Sequence, residues 1–246
     1  MFLRYAFLLL PLLAAGPVLA APPSCVGGLE ISKLRIIRAE NNGVLVAEDG
    51  RAVRLEGIRL SDEGRKMLDQ IAVGRALDMY ATAPKEDRYD RVRVQAVFAN
   101  GDWLQQVLLA RGLARVDMAP DRPQCAAELY AAEKQGRDAH AGLWAQTANA
   151  VRSVTLARAD TGTFQIIQGR VLNVSISNGR AYLNFGTDYK KDFTVTISQE
   201  DRKTFAAAKI DPRDYAGKTI RVRGIVQYLN GPELEVAAPH QIEIIQ

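Results

Sequence analysis

Between residues 180 and 193 four aromatic side chains, Tyr182, Phe185, Tyr189 and Phe193, are interleaved with Arg180, Lys190 and Lys191. Aromatic faces that stack bases beside cations that track phosphates are the equipment of single-strand binders. Asp188 and Asp192 lie in the same stretch, and residues 161–246 hold 11 basic and 9 acidic residues, a balance of only +2. Strand alternation also sends about half of such aromatics into a core. The stretch therefore reads either as a nucleic-acid surface or as an ordinary half-buried sheet. Two cysteines and two histidines are too few for a zinc cluster of Cys and His ligands. His140 and His240 stand alone in the sequence and read as surface or loop residues, whereas Trp103 and Trp144 read as core.

The ends of the chain bear on the cysteines. Residues 1–20 have a short positive start at Arg4, an apolar run at 5–13 too short to span a bilayer, and a small-residue cleavage site at Val18-Leu19-Ala20. A secretory signal cut after Ala20 is expected, leaving a protein in the periplasm or outside the cell. An oxidising compartment and an even count favour a Cys25–Cys125 disulfide. The formal net charge of +4 is too small to announce a nucleic-acid binder by itself. With 48% apolar and 24% charged residues in 246, the chain can fold around one large core or two small ones.

Two regions must position whatever chemistry there is. The first, residues 25–146, opens with strand-like runs at 33–39, 43–47 and 52–60. A short helix follows at 62–71, then strands at 76–82 and 91–98 and helices at 103–111 and 124–141. Residues 147–160 have little apolar periodicity and read as a linker. The second region, 161–246, has three strand runs, a short helix near 200–208 and two or three further strands, the order of a small Greek-key barrel. The expected fold is mainly β with α: two OB-type five-stranded barrels in tandem, the first carrying extra helices.

The order of elements in residues 33–144 resembles that of the staphylococcal-nuclease-like, or thermonuclease, family. The residues that carry the likeness are Val53-Arg54-Leu55, Asp87-Arg88-Tyr89-Asp90-Arg91 and Asn100 through Val116, with Ala139, Gly142, Leu143 and Trp144 closing the long helix. The second region resembles an OB-type barrel through weaker motifs. The first resemblance implies phosphodiester hydrolysis with a calcium ion held by carboxylates, a glutamate acting on water and two arginines on the phosphate. Arg54 and Arg91 fall at the arginine positions. The family's Asp-Thr-Pro-Glu motif becomes Arg59, Leu60, Ser61 and Asp62, with Glu63 beside it. A second calcium aspartate falls near Asn42.

Ca²⁺ takes about six to eight oxygen ligands with charge among them, so a guanidinium at a ligand position repels it. The calcium site is expected to be lost, with no metal or other cofactor. Arg54, Arg59 and Arg91 are then expected to form an anion-binding cleft, with Asp62 either a residual base or merely a helix cap. Arg54 and Arg91 are alternatively partners for Asp62 or Glu56. The expected function is non-catalytic binding of single-stranded nucleic acid, another polyanion or an envelope protein. The alternative is an active secreted phosphodiesterase using another metal or a displaced carboxylate.

Overall fold

The computed structural model describes residues 23–81 and 85–245; the expected signal segment lies outside them. In the first half the elements are β1 (Gly28–Ala39), β2 (Leu45–Ala47), β3 (Ala52–Leu55), β4 (Ile58–Leu60), α1 (Asp62–Ala72), β5 (Ala76–Ala81), β6 (Val92–Phe98), α2 (Leu104–Ala110), β7 (Ala114–Val116) and α3 (Ala126–Asp138). Strands β1, β2, β3, β6 and β5 close into a five-stranded barrel, consistent with an OB-type fold. Its core is aliphatic, with Ile36, Leu45, Val53, Leu77, Met79 and Val94 sealed inside. The parallel pairing of β3 with β6 sets Arg54 beside Arg93 and brings the start of β6, with Arg91 just before it, next to β3.

The single strand expected over residues 52–60 is two. Gly57 turns the chain at φ +82°, and a Cβ there would meet Leu129 Cδ1 at 2.6 Å. After this turn β4 leaves the barrel and pairs with β7 in a separate two-stranded ladder. Arg54 and Arg59 therefore sit on different sheets. Ser61 caps α1 by accepting the N–H of Gly64, so the cap is Ser61 and Asp62 opens the helix.

In the second half β8 (Arg152–Ser153), β9 (Phe164–Arg170), β10 (Asn173–Ser177), β11 (Arg180–Asn184), β12 (Thr194–Ile197), α4 (Arg202–Ala207), β13 (Thr219–Ile225), β14 (Gln227–Tyr228), β15 (Pro232–Glu235) and β16 (Ile242–Ile244) follow. The ladder is not one closed barrel as in the first half. It is a five-stranded sheet, β10-β11-β12-β15-β14, and a four-stranded sheet, β16-β13-β9-β8. The chain bends at Val171-Leu172 between β9 and β10 and at Val226 between β13 and β14, and each bend passes a strand from one sheet to the other. Both bends bury a valine in the shared core. Residues 147–160 carry structure of their own: β8 pairs with β9, Ala157 is fully buried, and Arg152 forks onto Asp160.

The halves are joined by a buried charge network. Glu133 of α3 is completely buried and accepts the Val116 N–H at 2.7 Å. Arg223 of β13 reaches across to both Glu133 oxygens at 2.9 and 2.8 Å and also pairs with Glu243 of β16. Arg137 donates to Glu133 at 2.6 Å, and the Tyr130 ring lies 4.3 Å from the Arg223 guanidinium. Burial works against the Arg223 charge, but Glu133, Tyr130 and Glu243 together raise its pKa above the ordinary range. His240, read as a surface or loop residue, lies in the short helical turn Pro239–Gln241 and is partly buried at this seam, with Nε2 3.0 Å from the Ala119 carbonyl.

Cys25 and Cys125 form the expected disulfide, 100 residues apart. It ties the segment before β1 to the residue that precedes α3. Trp103 and Trp144 are both buried, as expected.

Two outcomes follow from these contacts. Glu133→Gln should lose about 3–5 kcal/mol in urea unfolding, because Arg223 keeps its buried charge without its main partner. A loss below about 1 kcal/mol would place the stabilisation of the seam elsewhere. Cys25→Ser with Cys125→Ser should lose up to about 4.7 kcal/mol in the same measurement, the worth of closing a loop of this length in the chain-entropy model.

Candidate nucleic-acid interface on the first barrel

Arg54 leaves the barrel on β3 with its side chain half exposed. Arg91 stands just before β6 at the end of a tight turn over residues 87–91. Asp87 builds that turn. Its Oδ1 accepts the N–H groups of Tyr89 at 2.9 Å and Arg91 at 3.2 Å. Its Oδ2 accepts from Arg91 Nε at 2.8 Å, with Nη2 at 2.6 Å, and Arg54 Nη1 lies 3.8 Å away. One carboxylate thus aligns the two arginines. Tyr89 is exposed at the tip, with the guanidiniums of Arg88 and Arg91 each 4.9 Å from its ring centre.

These arginines border a cleft of about 290 Å³, also lined by Arg59, Arg65, Asn42 and Asp117. Four guanidiniums face one carboxylate there. Three acidic groups around the cleft are engaged. Asp117 accepts Arg59 Nε at 2.9 Å, Asp62 pairs with Arg65, and Glu56 accepts Arg93 Nε at 2.5 Å. Arg65 also donates to the Leu60 carbonyl at 3.0 Å. The Asn42 side-chain oxygen is used by the Val44 N–H at 2.9 Å. Among the described residues no three of His, Cys, Asp and Glu converge as metal ligands.

The expected constellation is thus partly assembled. Arg54 and Arg91 meet through Asp87, rather than pairing with Asp62 or Glu56. Arg59 touches the edge of the cleft but is turned toward the seam between the halves: it is held by Asp117 and lies 4.8 Å from the centre of the Phe164 ring. Asp62 is exposed and tied to Arg65. Sequence reading missed Asp87 and Arg65 as partners. The Asp87 signal was present, since an aspartate opening a turn four residues before an arginine both caps the turn and reaches the guanidinium. In the second half Phe193 is buried and its ring centre lies 5.2 Å from that of Phe185, while Tyr189 is exposed. These three lie in the connection between β11 and β12, so packing rather than strand alternation divides them between core and surface.

Residues 59–146 match the family model of the staphylococcal nuclease homologues. This stretch is a staphylococcal nuclease-like domain. The match covers a little over a third of the chain; it includes Arg59, Asp62, Asp87 and Arg91, and starts after Arg54. A nuclease-like domain on a closed barrel is compatible with a nuclease-related or nucleic-acid-binding role. A search of curated proteins returned no match. The disulfide is compatible with an extracellular or periplasmic location. No described helix is long and apolar enough to cross a membrane.

The Asp87 carboxyl sits at about 2, below its ordinary 3.8. Burial favours its neutral form, but the Arg91 side-chain hydrogen bond, the Tyr89 and Arg91 N–H groups and the Arg91 charge outweigh burial. The folded value lies below the unfolded one, so this stabilisation is complete above pH 3.8 and drains away as the pH falls toward 2. It amounts to about 2 kcal/mol. Asp87→Asn keeps an oxygen for the turn but cannot titrate. The native protein should lose about 2 kcal/mol more than Asp87→Asn between pH 5 and pH 2 in urea unfolding. Equal acid sensitivity of the two would mean that the pairing contributes no stability.

Proposed function

We propose that the nuclease-like domain is a non-catalytic binding module whose Arg54–Arg91 pair holds the phosphates of single-stranded nucleic acid or of another polyanion. The observation that carries this reading is that Asp117, which lines the cleft, and Asp62 beside it are each already paired with an arginine. Ca²⁺ needs oxygens that are free and carry charge. Here Arg59 and Leu60 occupy ligand positions of the family motif, and the oxygen of Asn42 is spent on its own turn. The residues present do not fit calcium, so no hydrolytic step is derived through it. What remains is an electropositive cleft with flat, forked donors, which match phosphate oxygens better than an ammonium does. Asp87 neutralises part of that charge, which favours weak binding. The disulfide and the small-residue site after residue 17 support export to the periplasm or beyond. An envelope protein with an acidic surface is a ligand of the same charge. The competing reading is an active secreted phosphodiesterase that uses another metal or a displaced carboxylate.

A labelled ten-nucleotide strand should bind in the micromolar range or looser, with log K falling against log salt at a slope near −1.4, about −0.7 for each of two phosphates. Changing Arg54→Ala with Arg91→Ala should flatten that slope without unfolding the protein. Calcium, magnesium, manganese and chelator should leave the strand uncut. Cleavage that needs a metal and disappears in Arg91→Ala would establish the competing reading. Equal binding by native and doubly changed protein would make the arginines structural.

A further inference from the structure

The five-stranded sheet of the second half has two unlike faces. Ala181, Leu183, Val195, Ile197 and Leu234 point inward and are buried. Alternation puts the intervening residues of β10, β11, β12 and β15 on the opposite face, and none of them is aliphatic. The register aligns Asn173, Asn184, Thr194 and Glu233 in one row. Ser175 and Tyr182 stand opposite each other in the next, and Ser177 faces Arg180 in the third. These rows floor a groove of about 570 Å³, walled by the 186–189 loop with its exposed Tyr189 and by the turn at Asn230. That volume is within the range of small-ligand sites, about 300–1,000 Å³.

The groove is polar but carries no net charge. Its one arginine, Arg180, pairs with Glu235 at 3.3 Å, and its one acid is Glu233. On the neighbouring loop Lys191 is paired with Asp188 at 3.2 Å, and Lys190 lies over the Tyr189 ring. A phosphate backbone finds no row of cations to follow here, whereas four guanidiniums line the cleft of the first barrel. What the groove offers instead is amides, hydroxyls and two phenol rings. Asn184 Nδ2 donates to Asn173 Oδ1 at 2.9 Å. That bond leaves Asn173 Nδ2 and Asn184 Oδ1 without a protein partner among the described residues. A donor and an acceptor held side by side fit two neighbouring hydroxyls, each of which both donates and accepts. A tyrosine ring supplies an apolar face for the C–H side of a sugar and a polar edge for its hydroxyls.

We propose that this groove binds a short neutral oligosaccharide, with the Asn173–Asn184 pair reading vicinal hydroxyls and Tyr182 and Tyr189 contacting the sugar faces. The site is separate from the arginine cleft and does not depend on the role proposed for it.

Titration calorimetry of the intact protein with triacetylchitotriose, maltotriose and cellotriose tests the assignment. At least one should bind with Kd of about 1 mM or tighter, roughly −4 kcal/mol. Tyr182→Ala and Asn184→Ala should each weaken that binding about tenfold or more, with unchanged melting temperature for Asn184→Ala, whose side chain is not in the core. Arg54→Ala with Arg91→Ala should leave it unaltered, so the two sites fail or succeed separately. Three results would overturn the proposal: no heat from any of the three sugars at about 10 mM, sugar binding indifferent to both groove variants, or ten-nucleotide oligothymidylate binding that disappears in Tyr182→Ala. The last would make the groove a nucleic-acid site.

Discussion

A charge buried inside a protein is tolerated only with partners in place, and Glu133 meets that condition from both halves of the chain. Its oxygens take the Val116 N–H from β7, Arg137 from its own helix and Arg223 from β13. Any sliding of the second half against the first would strand Arg223 and Glu133 together in a dry interior. The geometry of the seam is therefore specified by a few angle-dependent bonds rather than by apolar area alone, which is indifferent to direction. The ladder of β4 and β7 lies against this network and carries Arg59 and Arg115. Arg115 donates to the Phe164 carbonyl at 2.9 Å and to Asn149, so its charge is spent on holding the second half. Burial lowers its pKa, with the Glu133 charge acting in the opposite direction.

That arrangement has a consequence for the cleft. In a hydrolytic site of this class, carboxylates must stand free to hold a metal. Here arginine outnumbers acid on the cleft walls, and the acids are consumed in pairs. Arg59 sits where the likeness to the family places a carboxylate. It is held by Asp117 and lies over Phe164, bridging the first barrel to the start of β9. The substitution thus links the second half to a position that the family spends on chemistry. In the reading proposed here, the domain keeps the phosphate-facing arginines and gives up the metal.

In the readings proposed here, the two halves present unlike electrostatic surfaces for recognition. The cleft of the first barrel concentrates guanidiniums around a small volume, a geometry that attracts anions over distance and weakens with salt. The outer face of the second half balances each charge locally and relies on directional bonds at short range. Salt affects such contacts little, since few ions are released on binding.

Much of the framework was legible in the sequence because it rests on local rules. Alternation marked β6 and β12, glycine turns marked the hairpins, and the spacing around Asn100 to Val116 carried the nuclease-like likeness. The even cysteine count and the expected export signal pointed to the bridge that the structure contains. Other features depend on which distant segments meet, and no local pattern encodes that. At the break that sends Arg59 to the seam, the side chain of Leu129, some seventy residues away in the chain, leaves no room for a Cβ on Gly57. The second half divides into two sheets at bends whose valines, Val171 and Val226, share one core that only the packing brings together. His240 is held at the seam by the carbonyl of Ala119, which only the packing of the halves brings near. Sequence determined which segments are strands, which residues carry charge and which family the first domain resembles. Tertiary structure alone decided which charges meet, because a carboxylate such as Asp117 reaches Arg59 only once segments distant in the chain are packed together.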